Sequence, residues 1–552
     1  MTDHRRADIA AMLLDRLGDT HPGLRTRTAT WTWDEVVRES AARAELARKL
    51  RRDGPFHIGV LLENVPDYVF WLGAAALAGA TVVGINPTRG TAQLGADIRY
   101  TDCQLIVTDA AGRARLRELD LGLEPDRFLL VDDPAYTGLI DAQRAEPGPA
   151  VGAPDTLLLL LFTSGTTGTS KAVKCSRRRL ATIAYAAVDK FGHVRADVDY
   201  CCMPLFHGNA IMALWAPALA VGATVCLTPK FSASRFLPDV RYFGATFFTY
   251  VGKALGYLLS TPETATDSDN ALVRGFGTEA SVADQVEFRR RFGAELFEGY
   301  GSSEGAGLVA LDPHAPPGAL GRPAHPGVVV IDPETLRPCA PAELDSYGRV
   351  RNPDAAIGEM VDKAGALTFE GYYKNDAADA ERIRNGWYWT GDLGYIDTSG
   401  FLYFAGRKGD WIRVDGENTS ALVIERVLRR HPAVIAAAVY GVPDPRSGDQ
   451  VMAAIEVPDP DGFDVVEFAE FLCAQDDLGS KGTPRLLRVS ANLPVTGSNK
   501  VLKRGLQEQA WRTDDPVYFW AGRGAPEYVR LSATDRGELE AEFAANGRQY
   551  LL

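Results

Sequence analysis

The sequence predicts an α/β protein: a large N-terminal domain of layered, mostly parallel sheets and helices, followed by a small α+β C-terminal domain. Three observations predict it. Short apolar runs that read as buried strands alternate with alanine- and leucine-rich helical stretches over most of the chain, the pattern of strand–helix–strand units. Near Gly406 the pattern resets to a compact unit with an amphipathic helix of its own. The length, 552 residues, exceeds what one core holds at roughly 150 residues per domain. With 46% apolar and 24% charged residues the composition is that of a globular protein, which excludes disorder and collagen.

In chain order, the strands are read at His57–Glu63, Gln104–Asp109, Arg127–Asp132 and Thr156–Thr163, with a helix at Asp67–Ala80. Ala210–Leu227 carries no charge over eighteen residues, the lower limit for a membrane span. Pro217, Gly222 and Thr224 interrupt it, so it reads as a buried helix followed by a strand at Ala223–Leu227. Phe70–Ile85 has the same character. The chain is therefore expected to be soluble and cytoplasmic, with peripheral membrane contact left open. Past residue 335 come short glycine-rich strands at Gly348–Arg351 and Gly400–Ala405. The C-terminal unit starts with a helix at Ser420–His431, apolar on the side of Leu422, Ile424, Val427 and Leu428. Strands at Val434–Val442 and Gln450–Val457 and a helix at Val465–Gln475 complete it. The expected domains are 1–408 and 409–552.

Charge excludes one class of partner. Lysine and arginine number 59 against 72 aspartates and glutamates, a net −13. Such a surface repels phosphate backbones, so no nucleic-acid partner is expected, and an anionic substrate needs a local site. The seven cysteines (Cys103, Cys175, Cys201, Cys202, Cys226, Cys339 and Cys473) form no CxxC pair. They read as buried free thiols, not a zinc site or disulfide framework. Met1–Thr20 has charges scattered around a short apolar stretch, unlike a signal peptide or anchor.

The most informative segment follows the strand at Thr156–Phe162. It runs Leu161, Phe162, Thr163, Ser164, Gly165, Thr166, Thr167, Gly168, Thr169, Ser170, Lys171. Two glycines let the backbone approach a ligand, while six hydroxyls and one lysine offer donors. A polyphosphate needs that combination of many short hydrogen bonds and a cation. Ser170 before Lys171 distinguishes it from a Walker A loop.

The loop resembles the phosphate-binding motif of the adenylate-forming superfamily of acyl-CoA synthetases, luciferases and peptide-synthetase adenylation domains. Ser170 and Ala172 stand where proline and glycine are usual. Further segments follow in the family's order. Pro204–Asn209, containing His207, resembles the aromatic/histidine segment near the acyl pocket, although His207 alone would read as a core histidine. Gly275–Glu279, with Gly277 and Thr278, resembles the turn beside adenine. Gly299, Tyr300, Gly301, Ser302, Ser303 and Glu304 resemble the segment that stacks adenine on tyrosine, touches phosphate through a hydroxyl and holds Mg²⁺ on glutamate. Trp389–Asp392 resembles the motif whose aspartate, here Asp392, accepts the ribose hydroxyls. Gly406–Asp410 resembles the hinge segment, with Arg407 as a second ribose contact and Gly409 as the hinge. Leu493–Lys500 resembles the catalytic-lysine motif. Asn499 replaces its usual glycine and Lys503 lies nearby, so Lys500 is assigned by its spacing from Pro494.

The resemblance runs from about Thr30 to Tyr528. Thr249–Lys253, including Tyr250, with Tyr257–Leu259, Gly416–Ser420 and the tail at Asp515–Leu531, resembles the very-long-chain acyl-CoA synthetase and fatty-acid transport protein branch. It implies a ligase that uses ATP and Mg²⁺ to adenylate an acid with release of pyrophosphate, then transfers the acyl group to coenzyme A. Lys171, Glu304 and Lys500 would stabilise charge in the first step, and a mobile C-terminal domain would swing Lys500 away for the second. His207 and Tyr250 would line an apolar pocket built partly from Phe206–Ala210 and Tyr250–Leu259. The acid is expected to be long-chain, very-long-chain or steroid-like. The alternatives are a carrier-protein or amine acceptor, a non-carboxylic oxyanion such as nitrite, or an idle nucleotide-binding relative with an interaction role.

Overall fold

The computed structural model describes residues 6–552 except 164–170, 281, 302, 305–306, 313, 346–347, 349, 366–368, 408–410, 415–416, 447, 476–477, 479–481, 497–499 and 522–526. Two large sheets form the N-terminal part. One orders the strands Glu295–Glu298, Arg274–Thr278, Phe247–Val251, Val198–Cys201, Thr224–Leu227, Pro22–Arg25 and Thr30–Thr32. All its pairings are parallel except the terminal hairpin of Pro22–Arg25 with Thr30–Thr32. The other orders Phe128–Leu130, Cys103–Thr108, His57–Leu61, Thr81–Gly84, Leu157–Thr163 and Lys171–Ser176, with only the last pair antiparallel.

Buried helices lie against these sheets, and their ends follow from their sequences. Trp33–Leu50 starts on Thr32, whose hydroxyl accepts from the Glu35 amide while Glu35 returns a bond to the Thr32 backbone. Pro66–Ala78 begins on a proline, which fits a first turn, and stops at Gly79 with φ +68°. Arg177–Phe191 starts on the Ser176 side chain and stops at Gly192. The uncharged run contains no membrane span: a helix from Gly208 passes through a π-helical turn at Ile211–Trp215, ends at Val221, and gives way to the strand Thr224–Leu227. No helix among the described residues is long and apolar enough to cross a membrane.

An antiparallel sheet of Val328–Ile331, Gly358–Asp362, Trp387–Ile396, Ile383–Arg384 and Leu402–Arg407 follows. The C-terminal part has its own five-stranded sheet, Ala436–Pro443, Asp449–Glu456, Leu486–Ser490, Val517–Trp520 and Tyr528–Arg530. Its faces bury separate apolar clusters, one around Ile424, Ile455 and Phe468 and one around Tyr440, Leu506 and Trp511.

Two expectations need correction. The described residues of Gly348–Arg351 form no extended strand: Gly348 takes φ +78°, a left-handed turn conformation, and Val350 makes an isolated bridge to Leu344. The thiols are free, but Cys473 is exposed at the end of the helix Val465–Cys473 and Cys339 is half-buried.

Candidate functional site

Four neighbouring parallel strands deliver candidate residues from their carboxyl ends. Val198–Cys201 leads to His207, Phe247–Val251 carries Tyr250, Arg274–Thr278 carries Gly277 and Thr278, and Glu295–Glu298 leads to Tyr300 and Gly301. Ligand sites of open α/β sheets form at such ends. The second sheet meets them there. A Cβ on Gly84, at the end of Thr81–Gly84, would lie 2.9 Å from the Phe206 carbonyl oxygen. The adjacent strand Leu157–Thr163 ends at Thr163, which pairs with Lys171 across the hairpin. Ser164, Gly165, Thr166, Thr167, Gly168, Ser302 and Gly409 lie outside the described residues.

Lys171 and Glu304 converge on Tyr372. The Lys171 ammonium sits 5.4 Å from the Tyr372 ring centroid and 2.9 Å from the Glu381 carboxylate. Tyr372 donates to Glu304 Oε1 at 3.0 Å and accepts from Arg382 Nε at 3.1 Å. Glu304 is 7% exposed. Burial, with the Glu304 charge, pushes the Tyr372 phenol well above its ordinary value, so it stays a donor. Arg382 also donates to the Thr390 carbonyl, tying this cluster to the strand that carries Asp392. A partly dehydrated carboxylate beside a lysine suits Mg²⁺ on a triphosphate, since Mg²⁺ usually takes one or two carboxylates and completes its shell with phosphate and water. Arg179 donates to the Ser303 carbonyl at 2.7 Å and holds that turn.

Asp392 is gripped from two sides. Tyr300 donates to Oδ2 at 2.6 Å, and Arg407 Nε to Oδ1 at 3.1 Å. The register explains the second contact, because Asp392 and Arg407 are direct partners on the antiparallel strands Trp387–Ile396 and Leu402–Arg407. Burial, reinforced by the Asp392 charge, pushes the Tyr300 phenol far up.

Lys500 reaches this region from the C-terminal part. Its ammonium lies 2.7 Å from Glu279 Oε1, in a pair whose side chains are 43% and 52% exposed. Burial works to raise the Glu279 carboxyl, but the Lys500 charge and hydrogen bond, with the Arg407 and Lys503 charges, together outweigh it and hold the group low. His207 senses the same cation: burial first, then the charges of Lys500 and Arg89, push its pKa down to about 4. Lys503 turns away and pairs with Glu425 at 2.7 Å.

The segment Tyr250–Leu259 behaves differently from a simple pocket wall. The Tyr250 hydroxyl donates to Glu298 Oε1 at 2.9 Å, while its ring occupies the space a Cβ on Gly277 would need, 2.3 Å away. Burial, only partly offset by Tyr250 and the Ala280 amide, pushes the Glu298 carboxyl up to about 7. The helix Gly252–Leu259 sends Leu255 and Leu258 into the main core, but Lys253 faces the C-terminal part, reaching Glu456. Tyr372, Glu381, Arg382 and Glu298 were missed in the sequence reading. Tyr372, Glu381 and Glu298 act through partners distant in the chain, Arg382 through Tyr372 and the Thr390 carbonyl close by, and no local pattern marks any of them.

Known proteins resemble the chain along most of its length. The sequence profile of the AMP-binding enzyme matches residues 14–373, and that of the AMP-binding enzyme C-terminal domain matches residues 423–500. The chain is 70% identical over 550 residues to a steroid-22-oyl-CoA synthetase of Rhodococcus jostii (strain RHA1), covering 99% of each chain. It is 44% identical over 489 residues to a medium/long-chain-fatty-acid–CoA ligase of Mycobacterium tuberculosis, covering 88% of this chain and 93% of that one. The fold matches that of an anthranilate CoA ligase solved with anthranoyl-AMP at a TM-score of 0.80 and 20% identity, over 91% of this chain and 97% of the other. Both profiles, and relatives aligned nearly end to end, place the chain in the AMP-binding enzyme family, among the adenylate-forming acyl-CoA synthetases.

Proposed function

We propose that this ligase activates a steroid acid whose carboxylate ends a shortened side chain, of the 22-oic kind. The acid is joined to AMP with release of pyrophosphate, and the acyl group then passes to coenzyme A. The observation that carries the choice of acid is the 70% identity to the steroid-22-oyl-CoA synthetase along 99% of both chains.

In this reading Lys171 and the loop Thr163, Ser164, Gly165, Thr166, Thr167 and Gly168 hold the phosphates, with Ser302 and Ser303 adding hydroxyl contacts. Glu304 holds Mg²⁺, which would neutralise phosphate charge. Tyr300 offers its ring to adenine beside Gly277, Thr278 and Gly301, and Asp392 with Arg407 takes the ribose. Lys500 stabilises the charge that develops when the carboxylate attacks the α-phosphate, a step whose barrier is largely the repulsion of two anions. His207, kept neutral by burial, lets an apolar acid pass without adding a competing cation. The chain divides into 1–408 and 409–552, turns about Gly409 between the two steps, and works in the cytoplasm.

The test supplies the purified protein with ATP, Mg²⁺ and coenzyme A. Side-chain-shortened steroid acids are compared with fatty acids of graded length, following pyrophosphate release and thioester mass. Steroid acids are expected to give the highest kcat/KM. Faster turnover of straight-chain acids would overturn the choice of acid. Pyrophosphate release with no thioester formed would overturn the acceptor.

A further inference from the structure

A buried ion pair joins the two parts of the molecule. Lys253, the second residue of the helix Gly252–Leu259, places its ammonium 2.8 Å from Glu456 Oε2. The two side chains are 5% and 1% exposed. Glu456 ends the strand Asp449–Glu456 of the C-terminal sheet. Two backbone bonds complete the junction, both to Leu493: its amide donates to Glu456 Oε2 at 2.8 Å, and its carbonyl accepts from Lys253 at 3.2 Å. The Tyr257 phenol, one turn along the helix, feels the same carboxylate: burial first, then Glu456, push its pKa up. Beside it the helix backbone comes so close that a Cβ on Gly256 would sit 2.7 Å from the Ile435 carbonyl oxygen.

Leu493 is the foot of the segment that presents Lys500. The Leu502 amide bonds the Pro494 carbonyl, Val495 bridges Val501, and the Thr496 amide bonds the Lys500 carbonyl at 2.7 Å. The Lys500 amide in turn bonds the Thr496 hydroxyl at 3.1 Å. Pro494–Thr496 and Lys500–Leu502 are thus the paired arms of a hairpin with its base on Lys253–Glu456 and Lys500 at the end of its arm away from that base.

We propose that Lys253 is a positioning residue: by pairing with Glu456 and the Leu493 carbonyl it fixes the base of the hairpin and so aims Lys500 at the reacting phosphate. The proposal rests on the two-step reading above, in which Lys500 serves adenylation only. The exposed Lys500–Glu279 contact is too weak to set a domain arrangement, because water screens a pair this open. A dehydrated pair is different in kind. Its net stabilisation is small, because desolvation opposes attraction, but separating its members leaves a buried charge uncompensated, so it favours one register strongly over near misses. Lys253 and Glu456 meet only while the C-terminal part is docked as seen here. Turning Lys500 away separates them and opens both to water.

The experiment measures the two half-reactions separately in Lys253→Met, in Lys253→Met/Glu456→Gln and in Lys500→Ala. The double variant leaves no buried charge unpaired, so it reports on function where the single variant unfolds. Both Lys253 variants are expected to lose adenylation by about 10- to 100-fold, the scale for a catalytic group displaced by about 1 Å. The loss should fall on kcat, with KM for ATP and acid retained. Transfer from preformed acyl-adenylate to coenzyme A should keep its normal rate. Unchanged adenylation in the folded double variant, or equal loss of both half-reactions, overturns the proposal. If Lys500→Ala itself shows no selective loss, the two-step reading fails with it. If Lys500→Ala is selective and the Lys253 variants are not, only the positioning role fails.

Discussion

Asp392→Asn separates nucleotide binding from chemistry. In the wild-type protein the two carboxylate oxygens take one donor each, Tyr300 at 2.6 Å and Arg407 at 3.1 Å. An asparagine has a single acceptor oxygen and turns an amide N–H₂ toward one of those donors. The structural loss is modest, because Arg407 is 51% exposed and water can satisfy it. The loss toward ATP is larger. Ribose hydroxyls that donate to a carboxylate make charge-assisted bonds, worth about 1.5–3 kcal/mol each against about 0.5–1.5 for neutral ones. Losing the charge should cost about 1.5–3 kcal/mol of binding, and 1.4 kcal/mol is tenfold, so KM for ATP should rise about 10- to 100-fold. The ribose does not react, so its contacts are equal in ground and transition states and kcat should change little. Initial rates of pyrophosphate release, with ATP and acid varied in turn, make the measurement. An unchanged KM for ATP, or a rise confined to the KM for the acid, would refute the ribose assignment.

Three further outcomes follow from the same geometry. Glu304→Gln should lower adenylation strongly and shift its Mg²⁺ dependence to higher concentration while circular dichroism stays native; wild-type rates at low Mg²⁺ would remove the metal role. Lys500→Ala should melt within about 1 kcal/mol of wild type, because its ion pair is exposed, yet lose adenylation about 10²–10³-fold; a matching loss of thioester transfer from preformed adenylate would contradict the two-step scheme. Glu298 has a folded pKa of about 7, above its ordinary 4.5, so the native state keeps a proton that the unfolded chain has released. Its contribution to stability is full below pH 4.5 and is lost as pH rises through about 7. Glu298→Gln, which keeps the acceptor for Tyr250, should lose less melting temperature than wild type between about pH 5 and 8, and parallel profiles would exclude the assignment.

Consecutive residues were legible; meetings between distant ones were not. The strand Leu157–Thr163 and the helix Pro66–Ala78 announce themselves through composition and a terminal proline or glycine. Tyr300, Glu304 and Asp392 were recognisable because each motif packs its chemistry into five or six neighbours. Tyr372 was not, since its meaning lies in touching Glu304, 68 residues away. By sequence Lys253 belongs to an acyl-pocket segment, and its orientation toward Glu456 depends on how two folded parts dock. Helical periodicity separates faces but does not say which partner covers each.

The order of strands in the larger sheet also bears on synthesis. Pro22–Arg25 pairs in parallel with Thr224–Leu227, so Leu24 meets Val225 about 200 residues later. At roughly 5–20 residues per second, the first strands leave the ribosome about 10–40 s before their template exists. During that interval Leu24 and Trp33, both buried in the finished protein, are exposed to the nascent chain's neighbours. Long-range parallel pairing is slow for the same entropic reason. Production of this enzyme should therefore depend on chaperone capacity and translation rate more than on the stability of the completed fold, and the vulnerable sequence is the N-terminal hairpin, far from the chemistry.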